Sequence, residues 1–166
     1  MQALVISDTH GRCKNLERLL KKFQTLDLVL HLGDVEDDED YILALVYNTF
    51  HCDVKFVRGN MDTFSREPAK RTVEFGGHKI YMTHGHIQGV GYTYDTLLRE
   101  ARSEGADIAM FGHTHMPHLS YENGIMLLNP GSLSKPRQDG HRPAYALLDI
   151  DQNGKPVATL CQMKTF

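Results

Sequence analysis

Five short, mostly apolar runs in this sequence are each followed by a cluster of aspartate, asparagine or histidine that touches a glycine. The runs cover residues 3–6, 28–32, 53–58, 79–83 and 106–111. Runs of this length are typical of buried β-strands. Because glycine permits a sharp exit from a strand, the polar clusters are predicted to lie in loops just beyond the strand ends. The pattern therefore favours a sheet protein with its polar residues gathered at strand ends.

Helical patterns separate the first three runs. In residues 15–24, apolar side chains recur at positions i, i+3, i+4 and i+7, which is one face of an amphipathic helix. A second helix is predicted over residues 41–48. This alternation of strand and helix predicts a parallel sheet with right-handed crossovers.

The second half of the chain is richer in strands. Paired apolar runs flank Gly76-Gly77, Asn123-Gly124 and Asn153-Gly154, which are signals for tight turns between strands. These pairs predict strands over residues 71–75 and 79–83, 118–121 and 125–128, and 144–150 and 157–163. One further helix is predicted over residues 93–104. The sum is an α/β fold with two sheets packed together and helices outside.

Composition and charge argue against several classes of protein. At 166 residues, 41% hydrophobic and 23% charged, the chain is predicted to form one domain over residues 1–166. Its net charge of −3 offers no general attraction for nucleic acid or a membrane surface. No apolar run approaches the roughly 20 residues that cross a bilayer, and the N-terminus lacks the basic region of a signal peptide. With three widely spaced cysteines, these features predict a cytoplasmic protein without a disulfide framework.

The acidic residues 36–40 have two interpretations. They could form a second metal site, or they could precede a helix whose dipole favours acids at its N-terminus. The second interpretation, with the acids in solvent, is the stronger one.

The polar clusters suggest a metal centre when they are taken together. They are Asp8 and His10; Asp34; Asn60 and Asp62; His84 and His86; and His113 and His115. Each residue has an ordinary explanation, such as a helix cap for Asp8 or a buried core histidine for His84. Five such clusters at five strand ends favour a site for divalent metals such as Mn²⁺, Zn²⁺ or Fe²⁺. The number of donors exceeds the needs of one ion and indicates two metals.

The ordered motifs Asp-x-His, Gly-Asp, Gly-Asn, His-Gly-His and Gly-His-x-His resemble those of the calcineurin-like metallophosphoesterase superfamily. The short chain resembles its smallest members, the YfcE-type phosphodiesterases, from Asp8 to Arg137. The resemblance implies a four-layer α/β/β/α sandwich of two mixed β-sheets flanked by helices. It also implies hydrolysis of small phosphodiesters by a hydroxide that bridges two metal ions.

Residue roles follow from the same resemblance. The first metal is assigned to Asp8, His10 and His115, the second to Asn60, His84 and His113, and Asp34 bridges both. Two divalent ions are implied, with Mn²⁺ as the first choice and Ni²⁺, Zn²⁺, Fe²⁺ or Mg²⁺ as alternatives. The residues implied to act in catalysis are Asp34, Asn60, Asp62 and His86.

One position departs from the family pattern. Many members carry histidine directly after Gly-Asn, where this chain has Met61, which cannot transfer a proton. His86 is the candidate substitute for the missing acid, although a hydrogen bond that positions His84 is the stronger interpretation. Asp62 is interpreted as orienting a neighbouring histidine or ligand. Cleavage of activated diesters is therefore expected to be faster than cleavage of unactivated ones.

The expected partner is a small phosphodiester. Arg12 is the first choice for binding its phosphate, ahead of Arg58, Lys135, Arg137 and Arg142, because it lies two residues after His10. Neither long nucleic acid nor a membrane is expected as a partner, and a homo-oligomer is left open. The alternative function is a protein-interaction scaffold, as in the retromer subunit that shares this fold.

Overall fold

Ten strands and three helices make up the part of the chain that the computed structural model describes, residues 1–36 and 38–164. In chain order they are β1 (Gln2–Ile6), α1 (Lys14–Leu20), β2 (Leu28–His31), α2 (Glu39–Phe50), β3 (Asp53–Phe56), β4 (Lys70–Phe75), β5 (His78–Thr83), α3 (Asp95–Ser103), β6 (Ile108–Met110), β7 (His118–Glu122), β8 (Ile125–Asn129), β9 (Ala144–Ile150) and β10 (Pro156–Gln162). Every strand and helix that the sequence predicts is present, with ends that shift by a few residues.

The strands form two mixed sheets. The first sheet has the order β10-β9-β1-β2-β3, and the second has the order β4-β5-β6-β8-β7. β1, β2 and β3 are parallel, as are β5, β6 and β8. β9 and β10 extend the first sheet with antiparallel strands, whereas β4 and β7 form the antiparallel edges of the second. The mixed sheets confirm the expected fold class.

Alternating side chains along the central strands produce four layers. On β1, Ala3 and Val5 face the second sheet, where Met82 and Met110 belong to the same buried cluster. The intervening side chains Leu4 and Ile6 pack instead with buried residues of α1 and α2. The outer face of the second sheet is covered by α3. Because side chains in a strand alternate between faces, one sequence run serves two cores. The result is an α/β/β/α sandwich.

The helix predicted over residues 15–24 ends earlier than expected. α1 stops at Leu20, because the N–H groups of Lys22 and Phe23 donate to carbonyls three residues back and tighten the chain into a turn. The predicted apolar face is correct: the leucines of α1 are buried, and Phe23 packs against the same cluster.

The acidic stretch is divided between two environments. Glu39 and Asp40 lie in the first turn of α2, as the dipole argument predicts. Asp37 lies outside the described residues, and Glu36 contacts a histidine of the candidate site.

The sequence predicts neither a disulfide framework nor a membrane-spanning segment. Cys13, Cys52 and Cys161 are all free. In residues 1–36 and 38–164, none of the helices has the length and apolar character needed to cross a bilayer.

His31, at the end of β2, is buried in its neutral form beneath the strand ends. Its Nδ1 accepts a hydrogen bond from the N–H of Gly33 at 3.2 Å, so Nε2 carries the proton and donates to the hydroxyl of Thr9 at 3.1 Å. Burial lowers the pKa of His31 from 6.5 to about 4, although the negative charges of Asp62 and Asp8 raise it. The neutral ring therefore joins β2 to the loop after β1.

This neutral state makes stability depend on pH. Below about pH 6.5 the unfolded chain protonates at His31, whereas the folded chain does so near pH 4, so stability is lost as the pH falls through this window. We expect metal-free wild type to lose about 2 kcal/mol more unfolding free energy than H31Q between neutral pH and about pH 5. Urea titrations measure this difference.

The matched control is H51Q, which changes an exposed histidine. Its pH dependence is expected to follow wild type. Equal pH dependence in wild type and H31Q would contradict the buried neutral state.

Candidate metal centre

Loops from both sheets meet at one edge of the sandwich. Asp8, His10, Asp34 and Asn60 follow strands of the first sheet, and His84, His113 and His115 follow strands of the second. Parallel pairing continues into these loops, where the N–H of Asp8 donates to the carbonyl of Gly33 and the N–H of Gly112 to that of His84, both at 3.0 Å. The seven residues implied as ligands therefore share the carboxyl edge of the parallel strands.

Four of these residues form the first group. Donor atoms of Asp8, His10, Asp34 and His115 all lie within 4.8 Å of one another, and all four residues are buried. Nε2 of His115 is 3.0 Å from Oδ1 of Asp8, and Nε2 of His10 is 3.8 Å from Oδ2 of Asp34. Two carboxylates and two imidazoles are suitable donors for a borderline divalent ion.

The second group begins at the other oxygen of Asp34. Oδ1 of Asp34 lies 3.5 Å from Nε2 of His84. Nδ1 of His113 lies 3.0 Å from Oδ1 of Asn60, and the rings of His84 and His113 are in edge contact, 5.3 Å between centroids. Because its two oxygens face different groups, Asp34 occupies the position that a bridging carboxylate needs.

Several buried polar atoms in these groups have no hydrogen-bond partner among the described residues. They include both carboxylate oxygens of Asp8 and Nε2 of His84. Burying a carboxylate costs on the order of several kcal/mol, and the imidazoles of His115 and His10 are the groups closest to Asp8, at 3.0 and 3.9 Å, so a cation among these donors would lower that cost. The donor set and its orphaned atoms therefore fit divalent metal ions.

Hydrogen bonds at the far side of the rings orient three histidines. Nδ1–H of His84 donates to the carbonyl of Leu32 at 2.6 Å, and Nδ1–H of His115 donates to that of Lys135 at 2.7 Å. Nδ1 of His10 pairs with the carboxylate of Glu36, a residue that the sequence interpretation left in solvent. Each ring is thus fixed with Nε2 towards the centre.

The main chain at the site adopts an unusual conformation. Five implied ligands have positive φ angles between 49° and 66°, namely Asp8, His10, Asp34, His113 and His115. Such left-handed conformations are uncommon for residues other than glycine and cost about 1–3 kcal/mol each. No pattern of apolar spacing in the sequence predicts this strain.

Asp62 acts on the main chain rather than on a histidine. Its carboxylate is buried and accepts four N–H hydrogen bonds of 2.7–2.8 Å, from Asp34, Val35, Glu36 and Gly59. The sequence interpretation has Asp62 orient a neighbouring histidine or ligand, and the contacts observed are to main-chain N–H groups, among them that of Asp34. Asp62 is therefore a clamp on the loop that carries Asp34.

The segment after β8 holds the other side of the site. The hydroxyls of Ser132 and Ser134 donate to the carbonyl of Asp8 at 2.9 and 3.0 Å. The side chain of Asn129 donates to the carbonyl of Gly112 at 2.8 Å. These contacts hold the first and last ligand loops against each other.

Electrostatics keep Asp34 ionised. Burial alone raises its pKa, but the close contact with His84 and its charge, the N–H of Met61 and the charge of His10 lower the pKa to about 2. Burial lowers the pKa of His84, but Asp34 and Asp8 outweigh this effect and raise it. A raised pKa favours protonation of His84, so a metal ion would compete with a proton for its Nε2.

His86 does not perform the role that the sequence favoured for it. The bond that positions His84 comes from Leu32, and His86 lies beside the rings of His84 and His113, with centroids 5.5 and 6.1 Å away. Burial and the charges of both neighbours lower the pKa of His86. A lower pKa leaves less of His86 in the protonated form that a general acid requires.

A cavity of about 260 Å³ opens over both groups, since His10 and His115 of the first and Asn60 and His113 of the second line it. Met61, which is 51% exposed, lines it together with Lys135 and Arg137. Arg12, the first choice for the substrate phosphate, instead lines a neighbouring groove at the start of α1. Lys135 and Arg137 therefore supply the cationic side chains of this lining. Their position at the cavity depends on how the segment after β8 folds.

Comparison with known proteins identifies the family. A model described as the calcineurin-like phosphoesterase superfamily domain matches residues 1–153. The chain belongs to this superfamily.

Its relatives within the superfamily are of similar length. The probable metallophosphoesterase YsnB of Bacillus subtilis is 30% identical over 158 residues, which cover 95% of this chain and 89% of the relative. Phosphodiesterase YfcE of Escherichia coli K12 is 30% identical over 171 residues, which cover 91% of this chain and 89% of the relative.

Solved structures share the calcineurin-like fold. A predicted phosphoesterase of Streptococcus pneumoniae has a TM-score of 0.78 and 28% identity, with 98% of this chain and 97% of that chain covered. Vps29 of Entamoeba histolytica, as a D62A mutant, has a TM-score of 0.77 and 23% identity, with 99% of this chain and 100% of that chain covered. At that identity, the likeness to Vps29 shows the fold alone.

Gly112 is one of the positions where this site has no room for an added atom. A Cβ there would lie 2.1 Å from Oγ of Ser7 and 3.0 Å from Oδ2 of Asp8. We expect G112A to lower the unfolding free energy by about 1–3 kcal/mol and to weaken metal binding at Asp8. Urea titration and metal competition titration measure the two effects.

Two variants serve as controls for this substitution. G91A adds the same atom where nothing lies within 4 Å, and it is expected to resemble wild type. S7A/G112A removes the Ser7 hydroxyl, which is the closest clashing group and has no hydrogen-bond partner among the described residues. This double variant should recover part of the lost unfolding free energy. Wild-type stability of G112A would contradict the close packing.

Proposed function

We propose that this calcineurin-like protein is a phosphodiesterase that hydrolyses small phosphodiesters at a centre of two divalent metal ions, Mn²⁺ being the first choice. The observation that carries the proposal is Asp34, whose two oxygens face separate groups of ligands. The relative named as a phosphodiesterase supports the diester as substrate.

The proposed ligand sets follow the two groups. Asp8, His10 and His115 would hold the first ion, Asn60, His84 and His113 the second, and Asp34 both. When bound, two such ions supply Lewis acidity that activates water near neutral pH and neutralises charge on the phosphoryl oxygens.

Lys135 and Arg137 are the proposed phosphate-binding side chains. Both are exposed and line the cavity over the two groups. A guanidinium matches two phosphoryl oxygens with parallel N–H donors, so Arg137 would orient the diester while Lys135 adds charge.

The proposal also covers the size of the substrate and the cellular location of the protein. A cavity of about 260 Å³ suits a small phosphodiester better than long nucleic acid. The net charge of −3 supports the same choice. We keep the cytoplasm as the proposed location.

A scaffold function on the same fold is the rival proposal. Large apolar side chains are exposed in the segments after β3 and β5, including Phe64 at 85% and Tyr92 at 98%, as expected of a surface that binds protein. The ligand donors of both groups are all present, however, which favours the enzyme. Metal-dependent turnover distinguishes the two.

Metal reconstitution tests the proposed reaction. The stripped protein receives Mn²⁺, Mg²⁺, Ni²⁺ or Zn²⁺ singly, and hydrolysis of an aryl phosphodiester is followed. We expect activity to return with at least one ion in wild type and to stay at background in D34N, which removes the charge shared by both groups.

D40N is the matched control, because it removes an equal charge from an exposed aspartate on α2. It should retain wild-type activity. Equal turnover in D34N and wild type, with contaminating enzyme excluded, would refute the two-metal proposal.

Met61 generates a prediction about leaving groups. Because Met61 lines the cavity and cannot donate a proton, we expect the rate to fall steeply as the pKa of the leaving alcohol rises. M61H should raise the rates of poor leaving groups by up to about 100-fold, with little effect on activated ones. A series of substituted aryl and alkyl diesters measures this slope.

M116H is the control for the added imidazole, since Met116 is also exposed and follows a ligand. Its slope should equal that of wild type. Equal wild-type rates across the series, with chemistry shown to limit the rate, would overturn the prediction.

A further inference from the structure

Glu36 holds His10 from the side opposite the candidate metal position. Nδ1 of His10 lies 2.5 Å from Oε1 of Glu36. Nε2 of the same ring lies 3.4 Å from Nε2 of His115 and 3.8 Å from Oδ2 of Asp34. A carboxylate is an acceptor, so the hydrogen bond places the proton on Nδ1 and leaves the lone pair of Nε2 directed at the first group.

We propose that Glu36 is a positioning residue that sets the affinity of the first metal position through His10. The inference rests on the metal centre proposed above. A carboxylate bonded to a ligating imidazole fixes the ring and its tautomer and makes the ligating nitrogen more basic. Glu36 would thereby strengthen binding at the first position without touching the ion.

The other anchored histidines show why Glu36 is distinctive. His84 and His115 are held by main-chain carbonyls, which carry no net charge and which no substitution removes. Within the described chain, Glu36 is the charged side chain that accepts a hydrogen bond from Nδ1 of a candidate ligand histidine. Asp34 is shared by both groups, the first group adds the charge of Asp8, and Asn60 in the second is neutral. Glu36 therefore increases an existing charge difference between the two positions.

The backbone of Glu36 is itself held in place. Its φ of +59° lies in the left-handed region that glycine prefers. Its N–H donates to Asp62 at 2.8 Å, and the N–H of Val35 donates to the same oxygen at 2.7 Å. Asp62 thus maintains a conformation that delivers the Glu36 carboxylate to His10.

The neighbouring acids in this stretch have other contacts. Asp38 accepts a hydrogen bond from the thiol of Cys13, and Glu39 accepts one from the hydroxyl of Ser65. The side chain of Glu36 is 33% exposed, so its pairing with His10 is partly shielded from water. The position of Glu36 differs from that of a solvated helix-end acid.

Metal affinity is the first readout. Competition titration with a chelator gives the dissociation constants of Zn²⁺ at both positions, which H115A and H113A assign by selective loss. We expect E36G to weaken the first position about 10–100-fold and leave the second unchanged. E36Q keeps an acceptor without charge and should fall between E36G and wild type.

Folding controls accompany these variants. Glycine suits the φ of +59°, so E36G should unfold with a free energy no lower than wild type. D40N removes an equal charge from an exposed acid of the same stretch and should bind Zn²⁺ like wild type.

The ring proton of His10 is a second readout. In ¹H–¹⁵N spectra of the zinc-loaded protein, Nδ1–H of His10 should be protected from exchange in wild type and exchange rapidly in E36G. Persistence of this protected proton in E36G would overturn the assignment of Glu36 as its acceptor.

The outcomes separate this inference from the proposed function. If wild type binds two ions and E36G matches D40N in affinity, the role of Glu36 is refuted while the metal centre stands. If E36G weakens both positions equally, its effect is structural and the inference also fails. If wild type binds no ions, the proposed function fails together with the inference.

Discussion

The buried carboxylates of Asp8 and Asp34 impose the strongest electrostatic requirement on this fold. Asp34 is compensated within the chain, because His84 and the N–H of Met61 counteract burial and lower its pKa to about 2. Asp8 is fully buried, and its oxygens have no hydrogen-bond partner among the described residues. Its Oδ1 lies 3.0 Å from Nε2 of His115. Because burying a carboxylate costs on the order of several kcal/mol, the surrounding loops place imidazoles around it, and a divalent ion among these donors would supply the positive charge that lowers this cost.

Hydrogen bonds to the main chain hold the ligand loops in place although their backbone is strained. The ligand loops contain five residues with positive φ, and Asp62 holds the loop of Asp34 through three of that loop's N–H groups. Ser132 and Ser134 hold the carbonyl of Asp8 from the opposite side. The strands before these loops are anchored in the core between the sheets, whose burial of apolar surface offsets the strain. A rigid sandwich is therefore what allows strained loops to present ligands in fixed positions.

Much of the fold and of the site could be predicted from local pattern and from family resemblance. Short apolar runs and turn signals identified the strands, and the close spacing of neighbouring parallel strand ends predicted that the polar clusters converge. The surroundings of Glu36, Asp62 and Arg12 were not predictable in this way. Glu36 bonds to a histidine 26 positions away, and Asp62 bonds to amides up to 28 positions away. Arg12 is close to His10 in sequence but lines another groove. Periodicity reports on neighbours along the chain, whereas these contacts depend on how separate loops meet.

The sequence by itself determined the types and order of the elements, the positions of the polar clusters and the family. Local spacing is sufficient for these, because side-chain alternation and glycine conformations act within a few residues. The tertiary structure alone decided which oxygen of Asp34 faces which histidine, and that His10 takes a carboxylate while His84 takes a carbonyl. Those distances join loops from two different sheets. They are set by the packing of Val5 against residues such as Met82 between the sheets, a relation that no local pattern encodes.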